Sequence, residues 1–316
     1  NAGNINIDAG RMAIKRGATV RTDTLGTKKA GNLTITADES IEIIGTNSGL
    51  SSSSQLDSTG GDAGNINIDT GRLVLKDGAA VSTEVIGAGK GGNLSVFARI
   101  IELDGASAFS TSSGPNSGDA GNIKIEAGQL EVKDGAGMRT ATIGKGKGGN
   151  LDINATQSIE IIGDISFLTT FSGENSTKGS GDLNIQTNRL VVKDGAQVIT
   201  DTSGKGKGGN LSVFAENIKL DGASALSTSS RQNSIGDAGY LKIESGLLEV
   251  KDGAGMSTAT LGKGKGGNLN INARESIEII GESSLLTTLS APDSTKGSGD
   301  LNIQTNRLVV RDGAQV

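Results

Sequence analysis

The stretch GKGKGGN at 144–150 carries glycines at 144, 146 and 149, the G-x-G-x-x-G spacing of a phosphate-cradling loop. Such a loop opens a helix, whose N-terminal N–H groups hold the phosphates. The stretch recurs at 204–210 and 262–268, as GAGKGGN at 87–93 and as GTKKAGN at 26–32. Each copy is followed by an alternating, strand-like run, and no G-K-[S/T] is present. The motif therefore reads as a tight corner and not as a nucleotide site, and no cofactor is expected. Its lysines have a second reading. Lys90, Lys145, Lys147, Lys205, Lys207, Lys263 and Lys265, with Lys28 and Lys29, fall on alternate corners. Asp57, Asp62, Asp119, Asp237 and Asp293 fall on the corners between them. Either this is a solvated edge of weak ion pairs, each worth ~0–1 kcal/mol, or the lysines form a stripe for a polyanion such as acidic polysaccharide.

Asp-Gly-Ala turns supply the next candidates. Asp77, Asp104 and Asp134 are expected to stack on successive layers, as are Asp194, Asp221 and Asp252. Stacked carboxylates are oxygen ligands for calcium. They also accept turn N–H bonds beside Lys76, Lys133, Lys193 and Lys251, and Arg16 replaces the acid in the first copy. The T-x-T pairs Thr22/Thr24, Thr140/Thr142, Thr200/Thr202 and Thr258/Thr260 resemble a water-ordering face. They share phase with Val20, Met138, Val198 and Met256, however, which turns them inward, where their hydroxyls need internal partners. Catalysis needs clustered, non-repeating acids and bases. Nearly every charged residue here has a repeat-related copy and the chain has no His, so no enzyme is expected. Tyr240, Arg139 and Arg231 break the repeat without forming a recognisable constellation.

The elements that carry these residues come from one repeat. The five-residue pattern of GNINI at 3–7 returns at 31 (GNLTI), 64, 92, 121, 149, 181 (GDLNI), 209, 239 (GYLKI), 267 and 299, which makes eleven copies spaced 28–33 residues apart. The residues one and three past the Asn position are Ile, Leu or Val in every copy, with a polar residue between. That period of two marks a strand with one buried face. Two more strands follow, as RLVLKDGA (72–79) and AVSTEV (80–85) do in the third copy, with no helical periodicity anywhere. Copies starting at Asn4, Asn65, Asn122, Asp182, Tyr240 and Asp300 form class A. Those at Asn93 and Asn210 form class B, with LDGASA, and those at Asn32, Asn150 and Asn268 form class C, with SIEIIG. The order A C A B makes a 118-residue super-repeat, from Asn4 to Asn122.

Three short strands per coil fit an all-β, triangular, right-handed parallel β-helix of about eleven coils. The hand follows from the crossover rule. With layers ~4.8 Å apart the rod would be about 50 Å long. The whole chain, 1–316, reads as one uncapped solenoid segment with coils starting near 4, 32, 65, 93, 122, 150, 182, 210, 240, 268 and 300. Aliphatic ladders should fill the interior, and the Asn residues should form an amide ladder, side chain to side chain. Composition agrees: 50 Gly, 2 Pro, one Tyr, five Phe and no Trp or Cys imply a narrow aliphatic core. The net charge of −5 gives no reason to expect nucleic acid, and no apolar run is long enough to span a bilayer.

The pattern GNLxIxA…(I/L)xLxDGAxxST…GxGxGGN resembles the repeats of filamentous-haemagglutinin-type exoproteins, including cyanobacterial members, over essentially the whole chain. The resemblance implies a β-helical shaft that is extracellular or on the outer surface of a Gram-negative bacterium, with a structural or adhesive role. It also implies an outer-membrane partner for two-partner secretion. Self-association into rods or fibres and contact with surface glycans are the further partners such a shaft would have. The absence of a polar cap at either end predicts a segment of a longer array.

Overall fold

The computed structural model describes residues 2–55, 60–292 and 294–316. Its strands form two parallel sheets, one of eleven long strands and one of ten short strands. In both, each strand pairs with its counterpart one coil earlier and one coil later. This is a parallel β-solenoid. No helix is present among the described residues, so none is long and apolar enough to cross a membrane.

Period-two alternation sets the register. Ile66, Leu94, Ile123, Leu151, Leu183 and Leu211 pair in succession, and all are fully buried. A second interior column runs Leu75, Leu103, Val132, Ile161, Val192 and Leu220. The short sheet adds Val81, Phe109, Met138, Leu168, Val198 and Leu226. Each such side chain contributes ~1.5–3 kcal/mol by burial. A one-residue slip would turn a whole strand inside out.

The expected first and second strands of a coil are continuous. GNINI and RLVLK run together as Ile66–Lys76, followed by the short strand Ala80–Val85. The junction of the two halves is Gly71, which has no ladder partner between the pairs Thr70↔Ala98 and Arg72↔Ile100. Class C strands such as Leu151–Ile162 are one residue longer at this junction, where Thr156 and Gln157 face the single Gly128 of Ile123–Lys133. The two-against-one count is a β-bulge, which bends a strand and re-aims its side chains.

The T-x-T threonines do face inward, and all eight are buried. The first of each pair heads a column. The Thr83, Thr111, Thr140, Thr170, Thr200, Thr228 and Thr258 hydroxyls donate to the carbonyls of Gly92, Gly121, Gly149, Gly181, Gly209, Gly239 and Gly267 at 2.5–2.7 Å. Each bond spans the interior from the short strand to the corner that opens the following long strand. An unpaired buried carbonyl costs ~1–3 kcal/mol, so the column ties the coil shut on its own contour.

Candidate functional site

The Gly-Lys corners alternate buried and exposed. Gly144, Gly146 and Gly149 are buried, while Lys145 and Lys147 between them are exposed. The same holds at 204–209 and 262–267. A methyl group on Gly149 would overlap the Gly121 carbonyl, and one on Gly146 would overlap that of Gly118. The glycines are there because coil lies on coil with backbone against backbone. The lysines are what remains to face solvent.

Backbone bonds order these corners into one column: Lys29, Asp62, Lys90, Asp119, Lys147, Gly179, Lys207, Asp237 and Lys265. Asp62, Asp119 and Asp237 accept the backbone N–H of the following Lys90, Lys147 and Lys265, each at 2.8 Å. That bond holds the Asp119 and Asp237 carboxyls below the usual carboxylate range. The ammonium groups of Lys178 (2.9 Å) and Lys296 (3.1 Å) act in the same direction, against partial burial. The expected alternation of Lys and acid thus holds from Lys29 to Lys147. It fails at the next class C corner. There Gly179 occupies the acid's place with φ +90°, and a side chain on it would strike the Lys207 carbonyl. Lys147 and Lys207 are therefore separated by a layer in which no carboxylate takes the acid's place, while Lys178 beside Gly179 reaches back to Asp119. Among the described residues none of Lys90, Lys145, Lys147, Lys205, Lys207, Lys263 and Lys265 makes an ion pair, whereas Lys178 and Lys296 do. Asp57 and Asp293 lie outside the described residues.

The Asp-Gly-Ala acids do not form a ladder. Leu75, Leu103 and Val132 pair in register. Asp77 lies two residues beyond Leu75, and Asp134 two beyond Val132, but Asp104 lies only one beyond Leu103. Gly105 consequently stands between Asp77 and Asp134, with Gly78 N–H donating to Gly105 O at 2.7 Å and Ala106 N–H to Asp134 O at 3.1 Å. Asp104 instead falls level with Lys76 and Lys133. The second set repeats the offset, with Gly222 between Asp194 and Asp252. Interior packing decides the register, and the class B turn simply starts one residue early. Asp77, Asp134, Asp194 and Asp252 each adopt φ of 52–58° before a glycine that is also left-handed, the signature of a type I′ turn. Asp221 is held below the usual carboxylate range by a hydrogen bond from Lys219. Among the described residues no three acids come together as a metal site.

The Asn column also differs from an amide ladder. The Oδ1 atoms of Asn4, Asn32, Asn65, Asn93 and Asn122 each accept the backbone N–H of the next anchor, at 2.8–2.9 Å. Asn150, Asp182 and Asn210 continue the series to Tyr240. Asp182 Oδ1 also accepts from Asn210 Nδ2 at 3.0 Å, a side chain–side chain bond added to the backbone one. The column breaks once among the described residues, where Tyr240 offers Asn268 no acceptor.

Sequence reasoning missed one constellation. Arg139, Phe171 and Asp201 sit on three successive short strands, and Arg231 directly follows the fourth, Ala225–Ser230. Ladder pairing puts Ala141, Phe171, Asp201 and Ser229 side by side. Arg139 and Arg231 flank the Phe171 ring at 6.0 and 5.4 Å from its centroid. Arg231 also donates through Nε and Nη2 to Asp201 Oδ2 at 2.9 and 2.6 Å, although the Asp201 side chain is only 6 % exposed. The oddity of Arg139 and Arg231 was visible in the repeat. Aligning the short strands as well as the anchors would have brought them together. The group clamps four coils through cation–π and bidentate contacts.

Tyr240→Asn restores the missing acceptor and is expected to raise stability by about 1 kcal/mol, read as a higher Tm, with Tyr240→Ala giving no such gain. An unchanged Tm for the Asn variant would show that the column contributes little. Comparison of the chain with family models, with curated proteins and with solved structures gives no match.

Proposed function

We propose that this chain is a rigid shaft segment of a surface-exposed or secreted bacterial exoprotein, with a structural or adhesive role. One observation carries the reading. Three columns repeat almost without interruption: buried aliphatics and Asn oxygen to backbone N–H join each coil to the next, and Thr hydroxyl to Gly carbonyl closes each coil on itself. A chain that devotes nearly every layer to holding the next one is organised for length and stiffness. The repeat pattern's resemblance to filamentous-haemagglutinin-type exoproteins supports the same role, and with it an outer-membrane secretion partner. Antibody raised to this segment should label intact, unpermeabilised cells of the source organism, or their released matrix, by immunogold microscopy. Labelling that appears only after permeabilisation would contradict the reading.

A second reading is favoured by the Gly179 layer. Lys145, Lys147, Lys205 and Lys207 lie on two corners separated by a layer from which the column's acid is missing. This is the stretch best suited to an acidic polysaccharide. Retention on immobilised polygalacturonate should fall as salt rises, because exposed charges are screened over ~10 Å at 0.1 M. The double variant Lys147→Glu, Lys207→Glu should elute at lower salt. Equal elution of variant and parent would remove the lysine corners as a binding surface.

A further inference from the structure

The junction of the long strands carries a second surface, on a different part of the coil from the lysine corners. At its centre is Gly128, between the class B strand Leu94–Leu103 and the bulged class C strand Leu151–Ile162. With no side chain on Gly128, a hollow of about 590 Å³ opens over it. Phe97, Gln129, Asn154, Thr156 and Gln157 line it. Phe97 is 56 % exposed, more than any other aromatic side chain among the described residues. Gln129 Nε2 donates to Gln157 Oε1 at 2.9 Å. That single bond orients the pair and leaves each amide with further hydrogen-bonding capacity. The charged neighbours are turned to other partners. Glu126 holds Lys124 at 2.6 Å, and the Arg99 guanidinium leans over Gly71 in the preceding coil.

The super-repeat supplies an internal comparison. The same site recurs one unit later, with Phe214 for Phe97, Glu216 for Arg99, Gly246 for Gly128 and Arg274 for Thr156. There the seat is filled from within. Glu216 lies across Gly246 and pairs with Arg274 two coils on. Lys242 covers the Phe214 ring at 5.3 Å from its centroid, and Phe214 is 38 % exposed. The hollow beside Phe214, of about 390 Å³, is lined by Glu216 and Arg274 and extends toward 186–188 instead of over Gly246. One copy is thus closed by its own side chains. The other keeps an uncovered aromatic face beside three amides and a hydroxyl; Glu126, on the ladder between Phe97 and Asn154, also lines it, with its carboxylate paired to Lys124.

We infer that the hollow over Gly128 seats a pyranose ring of a neutral polysaccharide. The ring's C–H face would rest on Phe97, and its hydroxyls would exchange hydrogen bonds with Gln129, Asn154 and Gln157. An aromatic platform rimmed by polar groups that both donate and accept matches the two chemistries of a sugar ring, one apolar face and an equator of hydroxyls. The site is independent of the shaft reading. Failure of the titration below would leave the rod intact, and failure of surface labelling would leave the site intact.

The test is calorimetric titration of the whole chain with cellohexaose, xylohexaose and hexa-N-acetylchitohexaose, repeated in 0.5 M NaCl. At least one should bind with one site per chain, and salt should not weaken it. Phe97→Ala should reduce that affinity about tenfold, the loss expected from removing an aromatic platform worth ~1–1.5 kcal/mol. Phe214→Ala, in the closed copy, should leave it unchanged. Because both rings are on the surface, neither variant removes a core side chain, and circular dichroism would verify that each remains folded. The inference is overturned if none of the three sugars binds at millimolar concentration. It is equally overturned if binding survives Phe97→Ala, or if binding is lost in salt and so belongs to the lysines.

Discussion

At the Gly-Asn corner the backbone of each coil lies directly on the backbone of the coil before it, with no room for a β-carbon. Gly31, Gly64, Gly92, Gly121, Gly149, Gly181, Gly209, Gly239, Gly267 and Gly299 all meet the glycine carbonyl of the preceding corner in this way. Everything else in the solenoid is arranged around that contact. It sets the layer spacing, and it brings each Asn oxygen within reach of the next backbone N–H. It also presents the glycine carbonyl to the interior, where a threonine hydroxyl on the short strand can bind it. The aliphatic columns then fill a space whose dimensions the corner has already determined.

This dependence explains why charge is confined to the outer positions. A residue has its own counterpart as nearest neighbour above and below, so a charge repeated in every coil would face itself ~4.8 Å away. The chain avoids this by alternating class A with class B or C, which puts Asp62, Asp119 and Asp237 between lysines. The same alternation places Gly105 between Asp77 and Asp134. Where it lapses, at Gly179, the like charges are left two layers apart. The duplicated super-repeat then has freedom to diverge on its outer face, as the open site at Phe97 and the closed one at Phe214 show.

Much of this was legible in the sequence because stacking repeats make the pattern redundant. The period of two, the coil boundaries and the inward phase of Thr140, Thr200 and Thr258 each appear many times over, so a single rule accounts for them. What was not legible depended on offsets of one residue. Asp104 shares its Asp-Gly-Ala motif with Asp77 yet stands level with Lys76, because packing of Leu103 against Leu75 outranks the turn motif. The continuity of Ile66–Lys76 was hidden by Gly71, which reads as a break but serves as a bend within one strand. The clamp of Arg139, Phe171, Asp201 and Arg231 escaped because its members come from four coils and occupy different positions in the repeat. The Asn column is readable in the sequence, but whether its oxygens meet side chain or backbone depends on a stacking geometry that residue types alone do not specify.

The most direct measurement is the thermal stability of Gly149→Ala beside Gly10→Ala. Neither glycine has a positive φ, and Gly10 has open space where its β-carbon would go, whereas at Gly149 that carbon would overlap the Gly121 carbonyl. Backbone-on-backbone stacking predicts that Gly149→Ala lowers stability by ~1–3 kcal/mol or more, as overpacking does, while Gly10→Ala leaves it nearly unchanged. Equal melting of the two variants would mean that the corners do not meet as described, and the dependence of the fold on that contact would be wrong.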